Sequence, residues 1–362
     1  MLDARPTGPP IPRSPAKRRK SSRGSIIPSI DATPIMIIPS IRILPLVLVL
    51  MPALAAAQVP ARYTVERLGD VSPMRLSDSG TVVGMQGSME ESRPFVQGAG
   101  GRRYLEGMTG ASADRVSETG VVVGTGREGR SFFAYTWRDG VATRLPVPEG
   151  VGSSLGYGVN GRGDAVGHGS LAGGVRVALA WSGGTVRTLP PLVSGKSAAA
   201  EAINDAGWIV GHAGAADGEL RAVLWRDDRV EDLGTMGAAS IVPYDLNERG
   251  QVVGSAQMRM GRLLAFLWEN GTMTDLTPAG GMARARAIND AGHVVGNASM
   301  GSGPTRPVLW AGGRMVYLDE MLPADAGLRL IDTRDINNRG WILGIARLPD
   351  GKVEAVLLKP ER

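Results

Sequence analysis

The chain repeats one motif of about forty residues seven times between residue 74 and its C-terminal end. Each copy contains a Val-Val-Gly element or a close variant of it. The glycine of this element falls at Gly84, Gly124, Gly167, Gly211, Gly254, Gly296 and Gly344. A period in this range, with several short apolar runs in each copy, is typical of the blades of a β-propeller. The repeat therefore predicts the fold much more closely than it predicts an activity.

Each copy divides into four short apolar runs. In the fifth copy these are residues 242–246, 251–255, 263–268 and 272–276. The tetrapeptide Asn-Glu-Arg-Gly at residues 247–250 joins the first two runs. Asparagine in the first position and glycine in the fourth favour a type I turn whose last residue has a positive φ. Metal coordination by the Asn and Asp residues of such turns is the alternative, but the turn accounts for them without a metal.

A tryptophan ends the third run in five of the seven copies, at Trp137, Trp181, Trp225, Trp268 and Trp310. A large aromatic residue at one fixed position per copy is typical of a plug between neighbouring blades. Trp208 and Trp341 instead follow the tight turn, and we expect them to be more exposed.

The two ends of the repeat region complement each other. The seventh copy stops after its third run, at residues 355–360. Residues 65–69, before the first copy, match the fourth run of copy four (residues 230–234) in four of five positions. Pairing the spare strand with the incomplete copy would cover two exposed strand edges. The predicted fold is therefore all-β: a seven-bladed β-propeller of four-stranded blades, closed by pairing an N-terminal strand with the last blade.

Residues 264–276, with the sequence Leu-Ala-Phe-Leu-Trp-Glu-Asn-Gly-Thr-Met-Thr-Asp-Leu, resemble the HAF repeat. This bacterial extracellular repeat is named for His-Ala-Phe followed by Leu-Trp. The Ile-Asn-Asp-x-Gly-x-Val-Val-Gly element at residues 288–296 resembles its other half. Leu264 stands in place of the naming histidine, and Val223 and Val308 replace the phenylalanine in other copies. The resemblance covers residues 61–360 and implies an exported repeat protein; the family brings no established activity or functional residue.

Residues 1–57 have the composition of a basic leader followed by a signal peptide. They carry a net charge of +6, which leaves about −1 for residues 58–362. An apolar run at residues 43–57 ends in Ala-Leu-Ala-Ala-Ala, which predicts cleavage between Ala57 and Gln58. A membrane anchor is the alternative, but this run contains two prolines and is shorter than the roughly 20 residues that span a bilayer. We expect a secreted or periplasmic domain of residues 58–362; if translation starts at Met36, residues 1–35 are not part of the protein.

Composition excludes several classes of function. The nearly neutral mature chain lacks the basic surface that nucleic acid requires. The absence of cysteine excludes disulfides, thiolate zinc sites and cysteine nucleophiles. Glycine motifs at residues 124–129 and 152–156 imitate a dinucleotide loop and a nucleophile elbow, but strands rather than helices are predicted around them. His168 and His212 share one repeat position, which we interpret as a tolerant surface site; no metal, cofactor or catalytic residue is predicted.

Two positions near the axis of the predicted ring are the candidate ligand site. They lie two and three residues before the first residue of each tight turn. The predicted ligand-binding residues at the channel mouth are Arg75, Arg115, Tyr157, Glu201, Tyr244, Asp245, Arg286 and Asp335. Arginines in the first two copies and aspartates in the fifth and seventh would give an uneven potential, suited to a glycan or an extended peptide. The alternative is that these charges pair with one another or face solvent.

The sequence predicts an exported, monomeric propeller that acts as a binding or scaffold module for a polysaccharide or a protein partner. No stable membrane span is expected after signal cleavage. A propeller-fold polysaccharide hydrolase or lyase is the alternative. For that function Tyr157, Tyr244 and Glu201 are the nearest candidates, although no histidine lies beside them in the sequence. A structural surface-array component is a third interpretation.

Overall fold

The computed structural model describes residues 60–88 and 90–361. The predicted signal peptide, its cleavage site and the alternative start at Met36 lie outside these residues. Strands dominate the described part, where the one helical segment is a 3₁₀ turn at Leu318–Met321. The all-β prediction is confirmed. No helix among the described residues is long and apolar enough to cross a membrane.

The strands follow one another with short connections. The first thirteen are β1 (Tyr63–Gly69), β2 (Ser72–Leu76), β3 (Val82–Gln86), β4 (Arg93–Gly98), β5 (Gly101–Tyr104), β6 (Ser112–Val116), β7 (Val122–Glu128), β8 (Ser131–Arg138), β9 (Val141–Arg144), β10 (Val151–Val159), β11 (Ala165–Leu171), β12 (Arg176–Ser182) and β13 (Thr185–Thr188). The remaining strands are β14 (Ala198–Ile203), β15 (Ile209–Gly214), β16 (Leu220–Arg226), β17 (Arg229–Asp232), β18 (Ser240–Leu246), β19 (Val252–Gln257), β20 (Leu263–Glu269), β21 (Thr272–Asp275), β22 (Met282–Ile288), β23 (Val294–Ser299), β24 (Arg306–Ala311), β25 (Arg314–Tyr317), β26 (Arg329–Ile336), β27 (Ile342–Arg347) and β28 (Val353–Pro360).

These strands form antiparallel four-stranded units. Units 1 to 6 are β2–β5, β6–β9, β10–β13, β14–β17, β18–β21 and β22–β25, in that order. Units 4 and 5 belong to one eight-stranded sheet because a single parallel bridge joins Leu220 to Ser240. Unit 7 has the order β1-β28-β27-β26, so it combines the first strand with the last three.

The N-terminal strand β1 pairs with β28, as the sequence match at residues 65–69 predicts. The register runs from Tyr63 opposite Pro360 to Arg67 opposite Val356. Tyr63 is fully buried and Leu68 nearly so, which means that β1 contributes to the core as well as to the sheet. An ion pair of 2.7 Å between Arg67 and Glu354 lies across the two strands.

The predicted tight turns are confirmed. In each unit the backbone N–H of the turn glycine donates to the carbonyl of the first turn residue, at 2.9–3.0 Å. These glycines have φ between +72° and +93°. The turn glycines are Gly80, Gly120, Gly163, Gly207, Gly250, Gly292 and Gly340. The fourth position therefore requires a residue that tolerates the left-handed region, which explains why every copy has glycine there.

Every first strand contains a β-bulge just before its turn. At this point the register against the second strand shifts, so that one residue on the first strand has no partner. We call these the bulge residues: Met74, Asp114, Tyr157, Glu201, Tyr244, Arg286 and Arg334. A bulge lets two consecutive side chains leave the same side of a strand, which regular alternation forbids.

The glycine that defines the repeat lies opposite the bulge. Gly254 pairs with Pro243, next to the bulge residue of its unit, and Gly296 occupies the same place in unit 6. A Cβ on Gly254 would lie 2.2 Å from the Val242 carbonyl oxygen, and one on Gly296 would lie 1.9 Å from that of Arg284. The bulged backbone therefore occupies the space of a side chain, and glycine is the residue that permits it.

Seven hydrophobic clusters of the described residues each join one unit to the next in chain order. One of them joins unit 7, through Leu343 and Leu357, to unit 1, through Val82 and Phe95. Another packs Trp310 of unit 6 against Val253 of unit 5. Both faces of a unit are thus covered by its neighbours.

The third-run tryptophans lie between units, as predicted. Trp181 of unit 3 donates its indole N–H to the carbonyl of Pro146 at the end of unit 2, at 2.6 Å. Trp225 makes the equivalent bond to Pro190, at 2.8 Å. Trp208 and Trp341 are more exposed than these two, as expected, but each still covers the turn glycine of the following unit.

Candidate functional site

Three layers of residues follow one another along the seven first strands. Each first strand runs toward its tight turn, so each earlier position lies about 3.3 Å farther from that turn. The turn layer consists of the second turn residues: Asp78, Glu118, Gly161, Asp205, Glu248, Asp290 and Asn338. The middle layer consists of the residues two before the turn: Arg75, Arg115, Gly158, Ala202, Asp245, Ala287 and Asp335. The bulge residues form the third layer.

In the turn layer, side chains of one unit accept hydrogen bonds from the backbone of the preceding unit. The six bonds of this kind run from the backbone N–H of Asp78 to Glu118 (2.5 Å), Gly161 to Asp205 (2.6 Å), Asp205 to Glu248 (2.8 Å), Glu248 to Asp290 (2.8 Å), Asp290 to Asn338 (2.7 Å) and Asn338 to Asp78 (2.6 Å). Between units 2 and 3, where Gly161 has no side chain to accept such a bond, the Thr119 hydroxyl donates to the Gly161 carbonyl instead, at 2.9 Å.

The asparagines in the first turn position form a second set of bonds between units. Each donates its side-chain N–H to the carbonyl of the next first turn residue. These bonds run from Asn160 to Asn204 (3.2 Å), Asn204 to Asn247 (3.2 Å), Asn247 to Asn289 (3.0 Å), Asn289 to Asn337 (3.0 Å) and Asn337 to Ser77 (2.9 Å). The turn interpretation of these residues is confirmed. Turn-layer and middle-layer residues surround a cavity of about 300 Å³ at this end.

The charges of the middle layer pair with one another. Arg115 donates to Asp245 at 2.8 Å, and Arg75 lies 3.9 Å from Asp335. Burial disfavours the charged form of Arg115, but Asp245 and Asp335 more than offset it, so the pKa of Arg115 lies above its ordinary value. Burial raises the pKa of Asp335 to about 6 despite the opposing charge of Arg75. The alternative that these charges neutralise each other is confirmed.

The same side chains satisfy backbone groups of the first strands. Asp335 accepts from the Leu76 backbone N–H at 2.7 Å, and Asp245 accepts from that of Ile288 at 3.1 Å. Arg75 donates to the carbonyls of two bulge residues, Arg334 and Tyr244, at 3.0 and 3.3 Å. The middle layer therefore covers strand edges that would otherwise be unpaired. These contacts account for Arg75, Arg115, Asp245 and Asp335 without a ligand.

The bulge residues line a second cavity, which we call the bulge cavity. Its volume is about 170 Å³, and its walls consist of all seven bulge residues and Arg75. The structure thus brings together five of the predicted ligand-binding residues, namely Arg75, Tyr157, Glu201, Tyr244 and Arg286. The predicted set omitted Met74, Asp114 and Arg334. Like Tyr157, each of them lies three residues before the first residue of its tight turn, and this position would have identified them.

The bulge cavity has two chemically different sides. Units 6, 7 and 1 contribute Arg286, Arg334 and Arg75, whereas units 2 to 5 contribute two carboxylates and two tyrosines. Burial raises the pKa of Asp114 to about 6, although the Ser112 hydroxyl donates to it at 2.7 Å. The Nε atoms of Arg286 and Arg334 are buried and have no hydrogen-bond partner among the described residues.

Two histidines lie directly behind this cavity. The ring of His168 is 5.5 Å from that of Tyr157, and His212 Nδ1 is 3.3 Å from Glu201 Oε1. Burial lowers the pKa of His168 to about 4, with further contributions from Arg176 and His212. Neither contact could be predicted from the sequence because the partners are separated along the chain. Antiparallel pairing of the first and second strands brings them together.

The interpretation of this repeat position as a tolerant surface site is wrong. His168, Ser255 and Ile345 all occupy it, and each is buried. The reason is that neighbouring units cover both faces of each sheet. A side chain of the second strand is therefore buried on whichever face it lies. Within residues 60–88 and 90–361, no group of three or more His, Asp or Glu side chains is arranged to hold a metal ion.

No protein-family model and no curated protein matches the chain. Solved structures do match it. The β-propeller domain of the Trilobed protease from Pyrococcus furiosus is 9% identical over 84% of this chain and 95% of that domain, with a TM-score of 0.55. The fold is a β-propeller. The S511A mutant of puromycin hydrolase complexed with PGG is 14% identical over 84% of this chain and 54% of that one, with a TM-score of 0.54.

TolB from Acinetobacter baumannii is also similar, with 11% identity over 79% of this chain and 65% of that chain and a TM-score of 0.46. The present propeller spans nearly all of the Pyrococcus domain, but about half of the puromycin hydrolase and less than two thirds of TolB. At these identities the likeness extends to the fold alone, so no activity or ligand is transferred.

Proposed function

We propose that the seven units are the blades of one closed propeller. Three kinds of contact between units 7 and 1 support closure: a shared hydrophobic cluster, the bond from Asn337 to Ser77, and the bond from Asn338 to Asp78. The strand β1 completes the last blade, which removes an exposed edge from each end of the repeat region.

Deletion of residues 61–69 tests this closure. It removes two buried side chains, Tyr63 and Leu68, and exposes one edge of β28. We expect the free energy of unfolding to fall by at least about 4 kcal/mol, measured by chemical denaturation.

The matched control is a circular permutant that begins at Val71 and carries residues 61–70 after Glu361 through a short Gly-Ser linker. The N–H of Glu361 already donates to the Arg62 carbonyl at 3.0 Å, so the linker has little distance to span. The permutant should regain most of the lost stability. Equal stability of the deletion variant and the parent chain would refute closure.

The propeller acts, in this proposal, as an exported binding module for a polysaccharide, and it belongs to the HAF repeat proteins. Export rests on the predicted signal peptide and the family on the motifs at residues 264–276 and 288–296. A mature N-terminus at Gln58, determined by Edman sequencing of the exported protein, would support export through the predicted signal peptide. A chain that retains residues 1–57 after export would contradict it.

The observation that carries the binding function is the bulge in every first strand. It brings all seven bulge side chains to the wall of one cavity, whereas the charged side chains of the middle layer are occupied by internal contacts. Tyrosine hydroxyls, carboxylates and guanidinium groups there offer both donors and acceptors to a polar ligand. Buried arginine nitrogens without a partner gain most from such a ligand.

Retention of the purified protein on a panel of bacterial and plant polysaccharides tests this function. We expect retention by at least one, and a clear loss of it in Tyr244→Phe or Glu201→Gln. Arg138→Gln, at an exposed position of unit 2, is the matched control and should behave as the parent. The proposal is contradicted if the protein binds none of the polysaccharides, or if substitutions in the bulge cavity leave binding unchanged. Either result favours a protein partner or self-assembly.

A propeller-fold polysaccharide hydrolase or lyase is the second candidate, and one observation favours it. The contacts of His168 with Tyr157 and of His212 with Glu201 place imidazoles beside groups that can exchange protons. New chain ends released from the same panel would establish catalysis. Their release should then stop in Tyr157→Phe and Glu201→Gln, and retention without new ends would exclude this alternative.

A further inference from the structure

Two arginines of units 6 and 7 flank one carboxylate at the edge of the bulge cavity, and a third arginine, Arg284, lies close to them. Arg334 lies 3.2 Å and Arg286 lies 4.0 Å from the same oxygen of Asp332. The other oxygen of Asp332 accepts from the side-chain amide of Asn297. Arg284 lies over the Tyr244 ring at 6.0 Å, and no described carboxylate is within ion-pair distance of it. The positive charge of this cluster therefore exceeds its negative charge.

The cluster is also incompletely hydrogen-bonded. The Nε atoms of Arg286 and Arg334 are shielded from solvent and bond to no described residue. Burial lowers the pKa of Arg286, with Asp332 opposing the shift and the neighbouring arginines adding to it. A buried donor without a partner is unfavourable, and a hydrogen bond to an anionic ligand would remove that cost.

Arg286 lies between two cavities. One is the bulge cavity, and the other has a volume of about 240 Å³ and contains Arg284 and Asn297 together with the apolar side chains of Leu263 and Met282. A ligand carboxylate on Arg286 could therefore belong to an extended chain that occupies both cavities. We call the surface that joins them the arginine groove; it is formed by Arg284, Arg286, Asn297, Asp332 and Arg334.

The chemistry of the groove favours an acidic polysaccharide over a peptide. One way in which a peptide binds to a sheet is to add a strand to a free edge. Here carbonyls of the first strands at Tyr244 and Arg334 are already bonded to Arg75. The opposite wall presents Glu201 and Asp114, which accept from hydroxyl groups, while a planar guanidinium fork matches a carboxylate.

We propose that the arginine groove binds a uronic-acid residue of an acidic polysaccharide, with Arg286 and Arg334 holding its carboxylate. This inference rests on the proposed binding function and names the class of its ligand. Asp332 orients both guanidinium groups, and the sugar hydroxyls face Glu201 and the tyrosines.

Isothermal titration calorimetry with the full-length protein tests the inference in two matched pairs of probes. The first pair is polygalacturonate and its methyl ester, and the second is alginate and its propylene glycol ester; each pair differs in the charge of its carboxylates. We expect at least one free acid to bind and its ester to bind at least about tenfold more weakly. Equal binding of acid and ester would overturn the inference.

Variants locate the site. Arg286→Gln and Arg334→Gln should each weaken binding of the acid by at least about tenfold, whereas Arg138→Gln should leave it unchanged. Unchanged binding in both groove variants would overturn the inference. Circular dichroism checks their folding; if Arg286→Gln does not fold, Arg286→Lys keeps the charge, removes the fork, and should still weaken binding several-fold.

Further outcomes separate this inference from the proposed function. A neutral polysaccharide that binds in the bulge cavity while both uronates fail would overturn the uronate site and leave the binding function intact. A sulfated glucan that binds as tightly as the uronates would show recognition of negative charge in general, and would also overturn it. Failure of acidic and neutral polysaccharides alike contradicts both proposals.

Discussion

The two ends of the seven first strands differ sharply although only a few residues separate them. At the turn end, five units have asparagine in the first position, and each side chain there bonds to the next unit. At the bulge end, the equivalent position carries methionine, aspartate, tyrosine, glutamate or arginine. The turn end is therefore selected for holding units together, and the bulge end is where the copies are free to differ.

The two ends also differ in how completely their polar groups are satisfied. The side chain of Asn247 at the turn end makes four hydrogen bonds: three to Arg249 and Gln251 near its own turn and one to the next unit. At the bulge end, buried nitrogens of Arg286 and Arg334 have none. Changes at the turn end should consequently reduce stability, whereas changes at the bulge end should alter binding at little cost in stability.

The largest effect is expected from the glycine opposite the bulge. In Gly254→Ala the new Cβ would lie 2.2 Å from a backbone oxygen, so the bulge must move or flatten. We expect a loss of about 3 kcal/mol or more in the free energy of unfolding, measured by urea denaturation. Gly344→Ala is the matched control, since its Cβ would lie 3.1 Å from the nearest atom. Similar losses in both variants would show that the close contact of the Cβ with the bulged backbone does not determine the loss.

A somewhat smaller loss is expected at the turn end. Asn247→Ala leaves the Asn289 carbonyl and the Gln251 N–H without their partner, which should cost about 2–3 kcal/mol. Asn247→Ser is the control because Ser77 and Ser117 already hold this position and accept the bond within the turn. Serine should restore part of the loss. If alanine costs nothing in thermal or urea unfolding, the bonds between units are not stabilising.

The pH dependence of stability tests the histidine behind the bulge cavity. The pKa of His168 is lowered to about 4 in the folded chain, so its contribution to stability is complete above its ordinary pKa and is lost as the pH falls through about 4. In His168→Gln this loss should disappear, which makes the variant about 2 kcal/mol less sensitive to acid. Unfolding curves from pH 7 to pH 4 measure the difference; parallel curves would mean that His168 titrates normally.

The opposite sign is expected for the buried carboxylate of Asp114. Its pKa is raised to about 6, so its contribution is present below its ordinary pKa and is lost as the pH rises through about 6. Asp114→Asn should be about 1 kcal/mol more stable than the parent at pH 8 and no more stable at pH 4. Because the pKa of Asp114 is shifted less than that of His168, this effect is the smaller of the two.

The smallest effect is expected from a neutral bulge residue. Met74 is half-buried and lines the bulge cavity without a charge to pair. Met74→Gln should change the free energy of unfolding by less than about 0.5 kcal/mol. A loss comparable to that of Asn247→Ala would remove the distinction between the two ends.

Much of the fold could be predicted from the sequence because its signals are local. The turns follow from asparagine and glycine in fixed positions, and the pairing of β1 with β28 follows from the match between residues 65–69 and a fourth run. The tryptophans between units follow from their period. In each case a short segment contains the physical cause of its own structure.

The site could be predicted only in part because its causes are distant in sequence. The ion pair of Arg115 with Asp245 joins units 2 and 5 through residues 130 positions apart. The contact between His168 and Tyr157 depends on strand register, and a glycine in a strand indicates a bulge without locating the residue it displaces. The position in the repeat identified both the middle layer and the bulge residues. Only the structure shows that ion pairs occupy the middle layer, whereas the bulge residues line a cavity.

The glycine opposite each bulge has a consequence for how this scaffold can change. The bulge opposite this glycine has the same backbone register whether the bulge residue is Met74, Asp114 or Tyr244. Seven positions can therefore be exchanged independently, each by a single codon, while the hydrophobic interior and the turns keep their sequence. For protein engineering, the chain is a scaffold with seven interchangeable contacts, and a library randomised at those codons would sample new ligands on a constant frame.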